Sequence, residues 1–252
     1  MKILVTGASG FIGQILVAAL ADHDLVLWSR TIVSSGSSAE YRASGDLRDT
    51  AWWRSTELPG EVDVVIHLAE PVKNQLSEEA VTSIISSHCG FLANACAKAQ
   101  LVIYPNTAYR YDRRVGSGNR QYLRIKTEVA RALSADHRFA NPVIHPLVDS
   151  NGALSRLIKI QGQWPYLNPF CAFDARLPVL TTRELVGFFL DQIQSSYLLQ
   201  ADWFSADPTI ADLMASPGRR DWTMQSEIFK LLLRPIANTS TGSLLLEGRK
   251  IQ

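Results

Sequence analysis

The amino-acid sequence predicts an α/β fold, a doubly wound parallel sheet with a small C-terminal lobe. Three observations support this prediction. Short, nearly continuous apolar segments alternate with segments of helical periodicity over residues 1–152. A glycine-rich turn joins the first apolar segment to the first helical one, and glycines and prolines interrupt the pattern after residue 152. Strands of a parallel sheet are buried on both faces and therefore have such uninterrupted apolar sequences.

Each predicted element follows from its local composition. Apolar, β-branched runs and one shorter segment predict six strands, at residues 2–6, 25–29, 40–43, 62–68, 101–104 and 142–147. Apolar residues at helical spacing predict three helices, at residues 11–21, 77–100 and 121–135. Right-handed crossovers would place these helices on both faces of the sheet, with ligands bound beyond the carboxyl ends of the strands.

Composition argues against several classes of function. The 252 residues have a formal net charge of +1, which gives no reason to expect nucleic acid or a membrane surface as a partner. The three cysteines cannot all pair, and no Cys/His spacing resembles a zinc site, so we expect reduced thiols and no metal. We see no N-terminal leader and no apolar run of about 18 residues, and expect a cytoplasmic protein without a membrane span.

The turn between the first strand and the first helix carries glycine at every third position, Gly7, Gly10 and Gly13. One glycine permits a tight turn, one lets the backbone approach a pyrophosphate, and one lets helix and strand pack closely. The free N–H groups and positive dipole at the helix start favour an anion. We therefore predict a nicotinamide dinucleotide on this turn, contacted by the three glycines and by Ser9, Phe11 and Ile12.

The second strand ends in Ser29 and Arg30, at the place where an acidic residue would hold the ribose 2′-hydroxyl of NAD. A guanidinium instead suits a 2′-phosphate, by charge and by bidentate geometry. The sequence therefore favours NADP, with NAD as the alternative and a solvated Arg30 as the competing interpretation. On this basis residues 1–152 form a dinucleotide-binding Rossmann-type core, and residues 153–252 a smaller substrate-binding lobe packed on it as one compact unit.

Several motifs, in the expected order, resemble those of the extended short-chain dehydrogenases/reductases, the NAD(P)-dependent epimerase/dehydratase family. They are Thr6-Gly7-x-x-Gly10-x-x-Gly13, the segment with Asp46 and Leu47, the strand end with Leu68 and Ala69, the Asn106-Thr107 loop, and Tyr122-x-x-x-Lys126. The resemblance covers residues 1–152 well and the remainder weakly. It implies that Asp46 and Leu47 lie beside the adenine and that Leu68 and Ala69 lie under the cofactor.

The Tyr122 and Lys126 side chains should lie on one helix face, one turn apart. A nearby ammonium stabilises a phenolate and lowers the pKa of tyrosine from its usual value of about 10 toward working pH. The family resemblance implies that Tyr122 exchanges a proton with the substrate oxygen. It also implies that Lys126 holds the nicotinamide ribose and that Thr107 hydrogen-bonds the substrate. These three residues are the predicted catalytic set.

Other residues leave alternatives open. Tyr111 is either a second acid/base or a packing aromatic, His145 is expected to be structural, and His67 to contribute only its backbone. Glu70 is either solvated or in contact with substrate. Arginines cluster around the predicted catalytic helix and either bind a diphosphate or are solvated; they are Arg110, Arg113, Arg114, Arg120 and Arg124. Aromatic residues of the C-terminal lobe, such as Trp164 and Phe170, form either core or an apolar substrate pocket.

These observations predict an NADP-dependent oxidoreductase that interconverts a ketone and an alcohol, with a sugar derivative among the candidate substrates. Two alternatives stay open: a nucleotide-sugar epimerase or dehydratase with tightly bound NAD(P), and a non-catalytic NAD(P)-binding sensor. The expected partner is a small-molecule substrate. The resemblance also implies a possible homodimer through the helices at residues 77–100 and 121–135.

Overall fold

A computed structural model describes residues 1–31, 40–43, 61–70, 76–107, 117–145, 147, 180–195 and 202–203, with the backbone alone described at 40–43, 117–119 and 202–203. Nine strands are described: β1 (Lys2–Thr6), β2 (Asp24–Ser29), β3 (Glu40–Ala43), β4 (Val64–His67), β5 (Leu101–Ile103), β6 (Asn106–Thr107), β7 (Phe139–Ala140), β8 (Val143–Ile144) and β9 (Asp202–Trp203). The described helices are α1 (Phe11–Ala19), α2 (Glu78–Lys98), α3 (Ser117–Leu133) and α4 (Thr182–Gln194).

Six strands form a parallel sheet in the order β3-β2-β1-β4-β5-β7. The chain builds the sheet outward from β1 in one direction and from β4 in the other, so the strand order reverses between them. Thr6 at the end of β1 is in register with Trp28 of β2 and His67 of β4. The predicted doubly wound Rossmann-type fold is therefore confirmed, and this reversal is the place where such folds bind ligands.

Apolar side chains from the sheet and two helices form the core. Strand residues such as Leu4 and Val102 are wholly buried, and so are Leu92 of α2 and both Ile125 and Val129 of α3. Ile125 and Val129 lie one turn apart, so they dock one face of α3 on the core. That docking fixes the orientation of the residues beside them on the helix.

Helix α2 begins at an N-cap serine, Ser77, whose hydroxyl accepts a hydrogen bond from the Ala80 N–H at 3.2 Å. Glu78 and Glu79 in its first turn and Lys98 in its last complement the helix dipole. By length and hydropathy, α2 is the one helix in the described part of the chain that could cross a membrane. It also packs eight residues into the core, and the buried helices of proteins without a membrane span often have the same length and hydropathy.

The predicted strand at residues 142–147 is confirmed in part, because Val143–Ile144 is a strand but does not belong to the main sheet. Phe139 and Ala140 pair with β5 in the main sheet, whereas Val143 and Ile144 join a second sheet of order β6-β8-β9. Pro142 separates them, because it has no N–H to donate to a strand ladder. Its carbonyl accepts a hydrogen bond from the Asn106 N–H at 2.7 Å.

The chain divides into two compact units, which cut it differently from the predicted boundary at residue 152. That boundary lies outside the described residues. The first unit contains the six-stranded sheet with α1 and α2, and comprises Met1–Asn106, Gln121–Val143 and Val186–Ala201. The second unit comprises Thr107–Arg120, Ile144–Leu185 and Asp202–Gln252. Within the second unit, Leu147 and Leu180 form a parallel bridge.

Candidate active site

The three glycines of the β1–α1 turn meet three different steric demands. Gly7 has φ +68°, a left-handed conformation, and a Cβ there would lie 2.7 Å from the Ala69 nitrogen. A Cβ on Gly13 would lie 2.3 Å from the Gly7 carbonyl oxygen, so glycine lets the helix sit against its own turn. A Cβ on Gly10 would have one neighbour within 4 Å among the described residues, that same oxygen, at 3.0 Å. The exposed Gly10 thus has the open side that a close approach by a ligand requires.

The amino end of α1 lacks the side-chain partners that helix ends usually have. Within the described residues, no side chain accepts a hydrogen bond at its N-cap, Gly10, and its first turn contains no acidic residue. The side chain of Phe11 is 46% exposed, and the Ser9 carbonyl accepts a hydrogen bond from the Gln14 amide at 3.0 Å. An uncapped helix start beside a glycine turn is suited to a phosphate group.

The loop after β4 lies against the glycine turn. The Leu68 N–H donates to the Thr6 carbonyl at 3.2 Å, and the Ala69 N–H donates to the Thr6 hydroxyl at 3.3 Å. The positive φ of Gly7 lets the turn pass directly under this loop. The structure therefore brings together the predicted cofactor residues of the turn with Leu68 and Ala69.

Ser29 and Arg30 differ in what they can offer a ligand. Ser29 is buried, and its hydroxyl donates to the Thr31 carbonyl at 2.5 Å and accepts from the Thr31 N–H at 3.3 Å. That hydroxyl therefore shapes the chain after β2. The Arg30 side chain is exposed at the same edge of the sheet. The other predicted nucleotide contacts, Asp46 and Leu47, lie outside the described residues.

Lys126 is buried at the carboxyl edge of the sheet, with its side chain only 4% exposed. Its Nζ donates to the Pro105 carbonyl at 2.7 Å and pairs with Oε1 of Glu70 at 2.8 Å. It also lies 4.0 Å from the centroid of the Tyr104 ring. Burial lowers the pKa of Lys126 below its usual range, and the Glu70 carboxylate opposes part of that shift. The ammonium is thus held by two oxygens and an aromatic face.

Tyr122 is half-buried one turn before Lys126 on α3, as its spacing predicts. Lys126 Nζ lies 5.9 Å from the centroid of the Tyr122 ring. Thr107 is half-buried at the end of β6 and belongs to the second unit. The first unit therefore contains both members of the predicted Tyr–Lys pair and the glycine turn.

Two buried histidines lie beneath this site. The His67 ring nitrogen Nδ1 and the Thr6 hydroxyl are 2.8 Å apart, and the His67 ring meets the His88 ring edge-on with centroids 5.0 Å apart. Burial, followed by the neighbouring His88 and Lys126, places the pKa of His67 well below its usual value. Burial also lowers the pKa of His88, against the opposing effect of Glu70. Both imidazoles are therefore neutral at neutral pH.

Two interpretations from the sequence are wrong here. The side chain of His67 is wholly buried and in hydrogen-bond contact with Thr6, so His67 contributes more than its backbone. Glu70 is not solvated, because its side chain is 7% exposed and paired with Lys126. Sequence reasoning missed the ion pair, although an acid directly after Ala69, where the family has a small residue, was its one visible signal.

The remaining residues singled out from the sequence have varied surroundings. His145 is buried, in keeping with a structural role. The exposed Arg124 forms ion pairs with Glu78 of α2, at 2.5 Å, and with Glu128, at 2.8 Å, which gives it a surface role in the first unit. Tyr111 and the arginines at positions 110, 113 and 114 lie outside the described residues, as do the lobe aromatics from Trp164 to Phe173.

The described residues form a Rossmann-type sheet, with a Tyr–Lys pair at the edge where such folds bind ligands. The model of the NAD dependent epimerase/dehydratase family matches residues 3–117. This match covers slightly less than half of the chain, and it agrees with the resemblance stated from the motifs. No curated protein sequence matches the chain.

Solved structures of low sequence identity share the fold. The Bordetella bronchiseptica enzyme WbmH, in complex with NAD⁺, is 16% identical with a TM-score of 0.64, over 87% of this chain and 84% of its own. Vestitone reductase from alfalfa is 11% identical with a TM-score of 0.63, over 84% and 79%. The human epimerase family protein SDR39U1, with NADPH, is 15% identical with a TM-score of 0.58, over 84% and 77%. At these identities the likeness establishes the fold alone.

Proposed function

We propose that this chain is an NADP-dependent oxidoreductase that interconverts a ketone and an alcohol. The observation behind the proposal is a buried lysine ammonium, Lys126, one helical turn from Tyr122 and at the same sheet edge as the glycine turn. An apolar protein interior does not retain a charged amine unless it is paired. Its presence beside a tyrosine supports proton exchange by the phenol hydroxyl.

The residues of the first unit fit a nicotinamide dinucleotide. The open side of Gly10 and the uncapped start of α1 suit the pyrophosphate, and Lys126 suits a ribose hydroxyl. When bound, the nicotinamide ring supplies or accepts the hydride. The chain's own part is to orient the carbonyl group and to give Tyr122's proton to its oxygen, or to take that proton back in the oxidative direction. Thr107 is proposed, from the family resemblance, to hydrogen-bond the same oxygen.

NADP is proposed over NAD because Arg30 is exposed at the end of β2, where a 2′-phosphate would lie. A charge-assisted hydrogen bond contributes about 1.5–3 kcal/mol, and exposure reduces this toward the lower end. We therefore expect NADPH to bind about tenfold more tightly than NADH. Arg30→Ala should remove that preference and leave NADH affinity unchanged, whereas Arg131→Ala, an exposed arginine late in α3, should change neither. Tighter binding of NADH to the wild type would refute the preference.

A second candidate function is epimerisation or dehydration with a cofactor that is regenerated in each turnover. The family description, which names epimerases and dehydratases, favours it. The two functions differ in stoichiometry. A reductase consumes one NADPH for each product molecule, whereas an epimerase or dehydratase forms product without net change in absorbance at the reduced-nicotinamide band. A nucleotide-sugar panel and a ketone panel, followed at that band and by product analysis, separate them.

The test of the proposal is Tyr122→Phe. This substitution removes the hydroxyl proton and keeps the ring, so we expect turnover to fall by about 10²- to 10⁴-fold with cofactor affinity nearly unchanged. Leu123→Ala, at the neighbouring half-buried position, is the matched control and should retain turnover. Full activity of Tyr122→Phe would refute the role of the phenol. Tight NADPH binding without turnover on any carbonyl would instead favour a cofactor sensor.

A further inference from the structure

The loop after β4 places the Glu70 carboxylate beside the Lys126 ammonium. Glu70 and Lys126 are both nearly inaccessible, with side chains 7% and 4% exposed, and their charged atoms are 2.8 Å apart. Glu70 follows directly on Leu68 and Ala69, which lie against the glycine turn. The ion pair therefore connects the cofactor side of the site to helix α3.

The contacts of Lys126 among the described residues hold its ammonium in a defined place. An ammonium has three N–H donors. One donates to the Pro105 carbonyl at 2.7 Å, and the ammonium forms an ion pair with Oε1 of Glu70 at 2.8 Å. The Tyr104 ring lies 4.0 Å from Nζ. Because two oxygens fix the position of the nitrogen, the ammonium is held in place for a contact with a ligand hydroxyl.

We propose that Glu70 is a positioning residue that holds the Lys126 ammonium charged and oriented for the cofactor ribose and for Tyr122. This inference rests on the proposed function in naming the cofactor, and its observations are the 2.8 Å ion pair and the burial of both side chains. A lone ammonium in this place would bear the desolvation penalty of a buried charge without compensation.

The other ionisable groups around Lys126 do not replace Glu70. His67 of β4 and His88 of α2 are neutral at neutral pH, for the reasons given above. Burial, reinforced by the Glu70 carboxylate, raises the pKa of Tyr104 well above its usual value, so that phenol also carries no charge. Tyr122 faces the lysine from its own helix. Among the described residues, Glu70 is the carboxylate paired with Lys126.

The sign of the pH effect follows from the pair. Lys126 loses its proton as pH rises, and an adjacent carboxylate moves that loss to higher pH. Glu70→Gln keeps the shape and removes the charge, so NADPH affinity should fall with rising pH at a midpoint about 1–3 pH units lower than in the wild type. The basic limb of kcat/KM for carbonyl reduction should move in the same direction. A packing defect alone would weaken binding equally at every pH.

The experiment is a titration of NADPH, by cofactor fluorescence, into the full-length wild type and variants between pH 6 and pH 10. Glu128→Gln is the matched control, because it removes the same charge from an ion pair on the surface of α3. It should reproduce the wild-type midpoint. Glu70→Asp, which draws the carboxylate back by one methylene, should shift the midpoint in the same direction by a smaller amount. If circular dichroism shows that Glu70→Gln does not fold, the midpoint of Glu70→Asp is the test of the proposed role of Glu70.

Two outcomes would overturn the inference. One is an unchanged midpoint in whichever of the Glu70 variants fold, and the other is a wild type that binds neither NADPH nor NADH. The binding measurement does not depend on turnover. If the predicted shift appears while no carbonyl compound is reduced, the oxidoreductase proposal fails and the role of Glu70 stands. If turnover is found but the midpoint does not move, the oxidoreductase proposal stands and the role of Glu70 fails.

Discussion

Acid should destabilise this protein through two histidines that the fold buries in neutral form. His67 and His88 are each wholly buried, and burial is the largest cause of the lowered pKa in both. In the unfolded chain each imidazole gains a proton below its usual pKa of about 6.5. The native state does not take up that proton until its own, lower pKa is reached. The unfolded state therefore binds more protons in this window, and stability falls as pH falls.

The size of the effect follows from the same linkage. For a group with an unfolded pKa of about 6.5 that stays neutral in the native state, lowering the pH from 8 to 5 costs about 2 kcal/mol. His67, whose pKa is lowered furthest, should contribute this full amount. His88 adds a smaller amount, because the Glu70 carboxylate partly supports its charged form. The paired Asp136 has a lowered pKa and does not contribute above pH 5.

The assay is urea unfolding at pH 8, 7, 6, 5.5 and 5, followed by circular dichroism, with the free energy of unfolding extrapolated to water. His67→Phe fills the same space without a titrating group, so it should lose about 2 kcal/mol less than the wild type between pH 8 and pH 5. Its absolute stability at pH 8 does not enter the comparison. His137→Gln is the control, because that side chain is 88% exposed. Equal losses in the wild type and His67→Phe would refute the reasoning.

Two further predictions concern the turn and helix α3. Gly13→Ala should lower both the melting temperature and NADPH affinity, since its Cβ would lie 2.3 Å from the Gly7 oxygen. Gly90→Ala, in α2, should stabilise by about 0.5–1 kcal/mol, because no atom of the described residues outside the helix lies within 4 Å of the added Cβ. A harmless Gly13→Ala would contradict the steric account. Gln121→Ala removes two hydrogen bonds to the Leu76 backbone, at 2.9 and 2.7 Å, and should cost about 1–3 kcal/mol in urea unfolding. Thr127→Ala, at an exposed position of α3, should lower the free energy of unfolding much less. Equal losses in the two variants would rule out the hydrogen bonds to Leu76 as the cause.

Local sequence was sufficient where the physics is local. Strands Lys2–Thr6 and Glu40–Ala43 occupy the predicted residues, and the steric reasons given for the glycines are those the turn displays at Gly7 and Gly13. The sequence predicts helix ends less accurately. Helix α3 begins at Ser117, whereas the prediction began at residue 121, because Gly118 has a weak helix propensity and indicates a loop. A run of apolar residues around Pro142 hid the change of sheet between β7 and β8.

The parts of the site that sequence could not predict are those made by distant segments. The spacing of Tyr122 and Lys126 predicts that they share one helix face, but it does not predict which residues pack against that face. The partners of Lys126 come from the ends of β4 and β5, as Glu70 and the Pro105 carbonyl. Parallel strands bring their carboxyl ends to one edge, so such a convergence is expected in general. Packing decides which side chains at this edge point into the protein, and the hydrophobic periodicity of the sequence does not predict that orientation.

The buried pair is better explained by function than by stability. Taking a carboxylate and an ammonium out of water costs several kcal/mol each, and apolar replacements of similar volume are often neutral or stabilising. Lys126 lies against the ring of the wholly buried Tyr104, an aromatic neighbour that would also accept an apolar side chain. A fold selected for its core alone would gain by an apolar pair here. The site keeps two charges at the edge where the glycine turn and Tyr122 meet, and a charged, fixed ammonium is useful there for binding and proton exchange.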